Sequence, residues 1–165
     1  DEALLRSQGF TAVRSLTGTD NIFGVTVFKT DCQHGSDEAY AIPEVAERLG
    51  QASGLVFSHK DEKTMYIAGD TIWSAPYVNS LVHYQPDVVV LNTGFAVIDN
   101  IGAIIMGKED VLRTHEILPS ASIIASHMEA VNHCLLSRAE LHEYVVDMGL
   151  ERQVFIPQDG ESLHF

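Results

Sequence analysis

The chain has 165 residues, 45% of them hydrophobic and 20% charged, which is the length and composition of one globular domain spanning residues 1–165. Its net charge is −13 with neutral histidines, and a field of that sign disfavours nucleic acid and anionic membrane surfaces as partners. No apolar stretch approaches the roughly 18 residues that a membrane span needs. Two cysteines and no visible secretory leader favour a reducing, cytoplasmic setting.

The first half of the chain predicts short strands with a helix at the start. The opening DEALLRSQG is typical of a helix that ends at Gly9. FTAVRSL (10–16) and GVTVFKT (24–30) predict strands separated by the turn-rich TGTDN. Pro43 opens a short helix that Gly50 stops. SGLVFS (53–58) and TMYIA (64–68) flank the charged HKDEK and predict a hairpin.

The second half alternates strands with helices. Helices are predicted over about 76–84, 108–118 and 138–148, between the strands TMYIA, DVVVL, SIIAS and QVFIP. Ser137 and Glu140 form a capping box for the last helix, and Gly149 ends it. A turn at Asp159 then leads into a short terminal strand, ESLHF. Such alternation is the signature of layered α/β proteins, so we predict the α/β class.

Three apolar strands lead directly into a potential metal ligand, namely His34, Asp70 and His127. Groups just beyond the carboxyl ends of strands converge on one edge of an α/β sheet, where ligands bind. Two imidazoles and a carboxylate there form a plausible partial coordination sphere. Each residue also has an ordinary interpretation, a hydrogen-bonded histidine or a helix-capping aspartate. Asn92 ends another strand, suited either to orient a substrate or to satisfy its own loop.

The cysteines allow two further interpretations. Cys32 and His34 lie at i and i+2 and share a face of an extended segment, as a Cys-x-His zinc pair would. Cys134 beside His133 is compatible with a thiol nucleophile and its histidine base.

Five stretches carry a resemblance to a known family: TDCQHG, MYIAGDTIW, DVVVLNTG, IMGKEDVLRTH and IIASHMEAVNHC. They resemble the later part of metallo-β-lactamase-fold hydrolases, especially the branch of ascorbate-6-phosphate lactonase-like proteins. The resemblance implies a four-layer αβ/βα sandwich with a one- or two-metal site at its rim. It further implies that His34 and His127 are metal ligands and that Asp70 bridges two ions. Three residues beyond His127 would line the pocket: Glu129, Asn132 and His133.

The family's first metal motif, His-x-His-x-Asp-His, does not occur in this sequence, since no two of its eight histidines lie at i and i+2. We therefore expect a sandwich that is incomplete at its N-terminus. Loss of the leading strands would expose apolar sheet surface, which needs a cover. The expected cover is an upstream segment of the same protein or a second copy in a homo-oligomer.

The expected function is that of a metal-dependent hydrolase acting on a small molecule with Zn²⁺ or Mn²⁺, one or two ions in the intact site. A lactone, an ester or a phosphodiester fits that chemistry. Asp70 would hold the metals and orient the nucleophile, while His133 or Asn132 would stabilise the developing charge or protonate the leaving group. Glu129 and Asn92 are the predicted substrate contacts. The competing class is a non-catalytic module whose polar groups only satisfy one another.

Overall fold

The computed structural model describes residues 2–129 and 131–165. Its helices are α1 Glu2–Ser7, α2 Asp37–Tyr40, α3 Pro43–Leu49, α4 Ala75–Tyr84, α5 Lys108–Ile117 and α6 Arg138–Asp147. Its strands are β1 Thr19–Ile22, β2 Val25–Asp31, β3 Ser53–Ser58, β4 Met65–Ile67, β5 Val88–Asn92, β6 Val97–Ile98, β7 Gly102–Ala103, β8 Ser122–Ser126 and β9 Val154–Phe155. No helix within the described ranges is both long and apolar enough to cross a bilayer.

The main sheet places the strand ends of interest along one edge. Its strand order is β1-β2-β3-β4-β5-β8-β9. The pairs from β1 to β4 are antiparallel, whereas β4, β5, β8 and β9 run parallel. Because β2 and β4 both run opposite to β3, the carboxyl ends of β2, β4, β5 and β8 meet at the same edge. We call this edge the rim.

One face of the sheet packs against the three long helices. Alternate strand residues such as Val89, Leu91 and Ile123 are fully buried in the same core cluster as Leu81 of α4 and Leu141 of α6. The period of two along each strand sends these side chains to the helices and their neighbours to the other face. The α/β class predicted from the alternating pattern is confirmed.

The other face, which we call the open face, carries the remaining apolar strand residues. Val88, Val90 and Ile124 line a groove of about 670 Å³ together with the C-terminal residues Leu163 and Phe165. The predicted strand ESLHF does not form; this tail lies against the open face, with the Phe165 ring 5.2 Å from that of Phe155.

A second, smaller core supports the rim. It joins Ala39 and Leu49 of α2 and α3 to Ala96 and Ile104 around the β6–β7 hairpin. Gly35, at a φ of 104°, lies within this cluster, and a Cβ there would come within 3.2 Å of Leu49 Cδ1. The cluster therefore fixes the loop that carries His34.

Several local predictions are wrong, for identifiable reasons. Residues 10–16 form no strand, while part of TGTDN forms β1, a polar edge strand held by backbone pairing with β2. Phe23 and Gly24 have φ of 52° and 93°, the geometry of a two-residue type I′ turn between them. Helix α2 and the β6–β7 hairpin were not predicted, since two-residue strands carry no periodicity. Asp1, the first residue of the predicted opening helix, lies outside the described residues.

Candidate metal centre

The rim brings His34, Asp70 and His127 together. His34 Nε2 lies 3.9 Å from Asp70 Oδ2, and His127 Nε2 lies 4.0 Å from Asp70 Oδ1. Each carboxylate oxygen thus faces a different imidazole, which is the arrangement expected of a carboxylate shared between two ions. The convergence predicted from the strand ends is present, while the role of these residues as metal ligands stays a prediction.

His34 is oriented by a backbone carbonyl. Its Nδ1 lies 3.3 Å from Leu49 O, and a carbonyl can only accept, so Nδ1 carries the proton. In that tautomer, Nε2 faces Asp70 with a lone pair. A lone pair pointed at a carboxylate is stabilised by a cation between them, and metal-bound histidines commonly donate their other ring N–H in this way.

Asp70 is held by a neighbouring strand. Asn92 Nδ2 donates to Asp70 Oδ1 over 2.7 Å. The loop that follows Asp70 is tied to the β2 end, because Thr71 Oγ1 accepts from Gln33 N at 3.1 Å and Ile72 N donates to Gln33 O at 2.8 Å. Asn92, the predicted substrate contact, therefore uses one side-chain N–H to orient Asp70.

On the prediction that the rim binds a metal ion, we expect Asn92→Ala to weaken that binding, titrated with Zn²⁺, by about 10-fold, the lower end of what loss of a group behind a metal ligand costs. The carboxylate of Asp70 would lose the donor that fixes its plane. Calorimetric titration of the full-length protein with Zn²⁺ measures this. Asn79→Ala, on the exposed side of α4, is the matched control and should leave the affinity unchanged. If Asn92→Ala and Asn79→Ala bound Zn²⁺ with equal affinity, Asn92 would not orient Asp70 for metal binding.

His127 lies in a strained loop packed tightly against the end of β5. Its φ is 61°, an uncommon conformation for a residue with a side chain, typically costing about 1–3 kcal/mol. A Cβ on Gly94 would come within 2.2 Å of His127 O, and Cys134 Sγ donates to the same oxygen at 3.6 Å. Phe95, next to Gly94, and Glu129, two residues after His127, also have positive φ.

Glu129 does not face the rim as a free substrate contact. Its Oε2 lies 2.6 Å from Arg138 Nη1, and its Oε1 accepts the Arg138 backbone N–H at 3.0 Å. These two bonds hold the pKa of Glu129 below its usual value. Both oxygens of Glu129 are thus engaged by Arg138, and its predicted contact with substrate stays a prediction.

Asn132 and His133 are exposed and follow the loop that carries His127. His133 O accepts from Val97 N at 3.2 Å, which attaches this segment to the β6–β7 hairpin. Among the residues the structure describes, neither side chain makes a hydrogen bond or an ion pair. Their catalytic roles stay predictions.

Neither cysteine has the surroundings of a nucleophile. Cys32 Sγ donates to Ala68 O at 2.9 Å, and burial raises the pKa of Cys32 to about 11. Burial also raises the pKa of Cys134, and the charge of Asp70 adds to it. Both thiols are protonated near neutral pH, whereas nucleophilic cysteines have lowered pKa values. The thiol-hydrolase interpretation is therefore disfavoured.

Two imidazoles and a carboxylate are the donors that zinc and similar ions accept. In residues 2–129 and 131–165, no three His, Cys, Asp or Glu side chains form a group that could hold a metal ion alone. This agrees with the separations of 3.9 and 4.0 Å, in which the histidines face different oxygens. The three residues thus fit as part of a coordination sphere and do not complete one.

Comparison with known sequences gives one curated relative of clear similarity. The chain is 39% identical over 166 residues to UPF0173 protein YddR of Bacillus subtilis (strain 168), covering 100% of this chain and 63% of that protein. No protein-family model matches the sequence.

Solved structures are similar over nearly the whole chain. An isothiocyanate hydrolase from Delia radicum gut bacteria is 57% identical, with a TM-score of 0.95 over 99% of this chain and 63% of that one. A possible metal-dependent hydrolase from Veillonella parvula DSM 2008 is 39% identical, with a TM-score of 0.94 over 96% and 61%. The metallo-β-lactamase fold protein YhfI from Bacillus subtilis is 12% identical, with a TM-score of 0.59 over 87% and 50%. The chain spans less than two thirds of each of these proteins.

Proposed function

Because this chain has the metallo-β-lactamase fold, we propose that it forms part of a metal-dependent hydrolase whose metal centre lies at the rim. The observation that carries the proposal is the arrangement of Asp70, with one oxygen toward His34 and the other toward His127. The names of similar structures, an isothiocyanate hydrolase and a possible metal-dependent hydrolase, support it.

In this proposal the three rim residues would supply part of the coordination sphere of one or two ions, Zn²⁺ or Mn²⁺. A bound ion of this kind lowers the pKa of water and polarises the group under attack. His34 and His127 would offer Nε2 as ligand atoms, and Asp70 would offer its carboxylate. Leu49 O and Asn92 keep two of these side chains in the required orientation. His133 and Asn132 remain the proposed donors to the leaving group and to the developing charge.

We propose an isothiocyanate as the substrate class, supported by the name of the 57% identical structure. Water adds its oxygen to the central carbon of R–N=C=S, and the carbon–nitrogen bond breaks. Both protons of the water end on nitrogen, so the products are R–NH₂ and carbonyl sulfide. The lactone, ester and phosphodiester substrates expected from the ascorbate-6-phosphate lactonase-like resemblance stay predictions.

Chelation is expected to reduce release of benzylamine from benzyl isothiocyanate by the full-length protein at least about 10-fold, because the ion generates the nucleophile. Metal analysis of the untreated protein should find one or two equivalents of Zn²⁺ or Mn²⁺. Restoring the ion should restore turnover, and treatment with iodoacetamide should not abolish it. A metal-free protein with undiminished turnover would overturn the proposal, and a protein with neither metal nor turnover would favour the non-catalytic module.

The cover of the open face also remains a proposal. The apolar groove of about 670 Å³ supports an upstream segment or a second copy of the chain in that place.

A further inference from the structure

We infer that Arg138 is a positioning residue for His127 and that it acts through Glu129, an inference that rests on the metal centre proposed above. Arg138 opens α6, and its side chain reaches back to the loop that follows β8. We call residues 127–129 the His127 loop.

Arg138 contacts both carboxylate oxygens of Glu129, one through its guanidinium and the other through its backbone N–H. The guanidinium binds Glu129 Oε2 at 2.6 Å, and the backbone N–H binds Oε1 at 3.0 Å. Charge-assisted bonds of this kind are short and roughly twice as strong as neutral ones. The carboxylate is therefore fixed in place and direction relative to the start of α6.

The start of α6 is itself held in place by hydrogen bonds and core packing. Ser137 and Glu140 form the predicted capping box, with Ser137 N donating to Glu140 Oε2 at 3.0 Å. Leu141 and Val145 anchor the helix in the main core. Arg138 Nε also donates to Pro157 O at 3.1 Å, and its guanidinium pairs with Asp159. Only 20% of the Arg138 side chain is exposed, compared with 54% for Arg113.

The His127 loop needs such a restraint. His127 and Glu129 have φ of 61° and 62°, a region that residues with a side chain adopt at a cost. Met128 is buried in the main core, and Cys134 Sγ donates to His127 O, which Gly94 also approaches closely; none of these contacts involves Glu129. The bonds from Arg138 hold the far end of the loop, so that its strained backbone keeps the imidazole toward Asp70.

The test compares Arg138→Gln with the unchanged full-length protein in two measurements. In the metal-free protein, the backbone and ring NMR resonances of His127 should move while those of His34 stay in place. Calorimetric titration with Co²⁺ should show affinity about 10-fold weaker or more, the loss expected behind a metal ligand. Arg138→Lys keeps the charge but lacks the planar guanidinium. Its His127 shifts and Co²⁺ affinity should therefore lie between those of Arg138→Gln and the unchanged protein. Arg113→Gln, which removes an ion pair with Asp110 and a contact with the Trp73 ring but no contact with Glu129, is the control and should change neither measurement.

Glu129→Gln tests whether Arg138 acts on His127 through Glu129. It also replaces Arg138→Gln in the comparison if that variant does not fold. If Arg138 acts through Glu129, this variant should reproduce the shifts, and combining it with Arg138→Gln should add little. Unmoved His127 resonances in these variants would overturn the inference, as would fully additive effects of the two changes. An unchanged protein that binds no Co²⁺ would refute the metal centre, while the NMR comparison would still decide whether Arg138 positions His127.

Discussion

Replacing Asp70 with alanine is expected to lower isothiocyanate turnover by the full-length protein by at least about 1,000-fold, beyond the 10–100-fold typical of changes behind a metal ligand. Asp70 is the residue that both histidines face, at 3.9 and 4.0 Å, so its loss removes the donor common to both sides of the site. Initial rates with benzyl isothiocyanate, measured together with bound metal per chain, give the result. We expect metal content and turnover to fall together.

Two further variants identify what Asp70 contributes. Asp70→Asn keeps the shape of the side chain and removes the charge, and we expect it to be nearly as damaging as alanine, because a neutral amide is a weaker metal ligand. Asp61→Ala changes an exposed carboxylate paired with Lys60 and should leave metal content and turnover unaltered. Full turnover in Asp70→Ala would eliminate the residue from the mechanism.

The three rim residues could be predicted from the sequence because the signal for each is local. DVVVL and SIIAS are apolar runs typical of buried strands, and parallel strands end at the same edge of their sheet. A potential metal ligand that directly follows one of these apolar strands is therefore expected to lie near the ligands that follow the neighbouring strands. His127 meets this condition directly, while Asp70 and His34 follow β4 and β2, which run in the same direction as β8; the structure places the three together.

The residues that orient the site could not be predicted in the same way, because their signals are tertiary. Asn92 and Asp70 are 22 positions apart and meet only once β4 and β5 are paired. Arg138 lies nine positions after Glu129, at the start of a predicted helix, so no local spacing links the two residues. Polar strand β1 likewise forms through pairing with β2, against its own weak propensity.

Gly94 gives no sequence signal beyond that of an ordinary loop glycine, yet Gly94→Ala is expected to damage both stability and the site. A Cβ at this position would lie 2.2 Å from His127 O and 2.7 Å from Cys134 Sγ. The carbonyl is backbone and cannot rotate away, so the His127 loop itself must shift. Overpacking of this kind typically costs about 1–3 kcal/mol in unfolding free energy. Denaturant unfolding measures that loss, and Co²⁺ titration should show weaker binding, because the displaced loop carries His127.

Gly18→Ala is the matched control for this experiment. No atom lies within 4 Å of a Cβ built on Gly18, and its φ is not in the left-handed region, so the added methyl group meets neither a neighbour nor strain. The unfolding free energy and Co²⁺ affinity should therefore stay within error of the unchanged protein. If Gly94→Ala behaved like Gly18→Ala, the close approach of β5 to the His127 loop would not be what holds His127 in place. If only the unfolding free energy fell, Gly94 would act on the packing of the rim and not on the ligand, since a shifted His127 must also change the affinity for the ion.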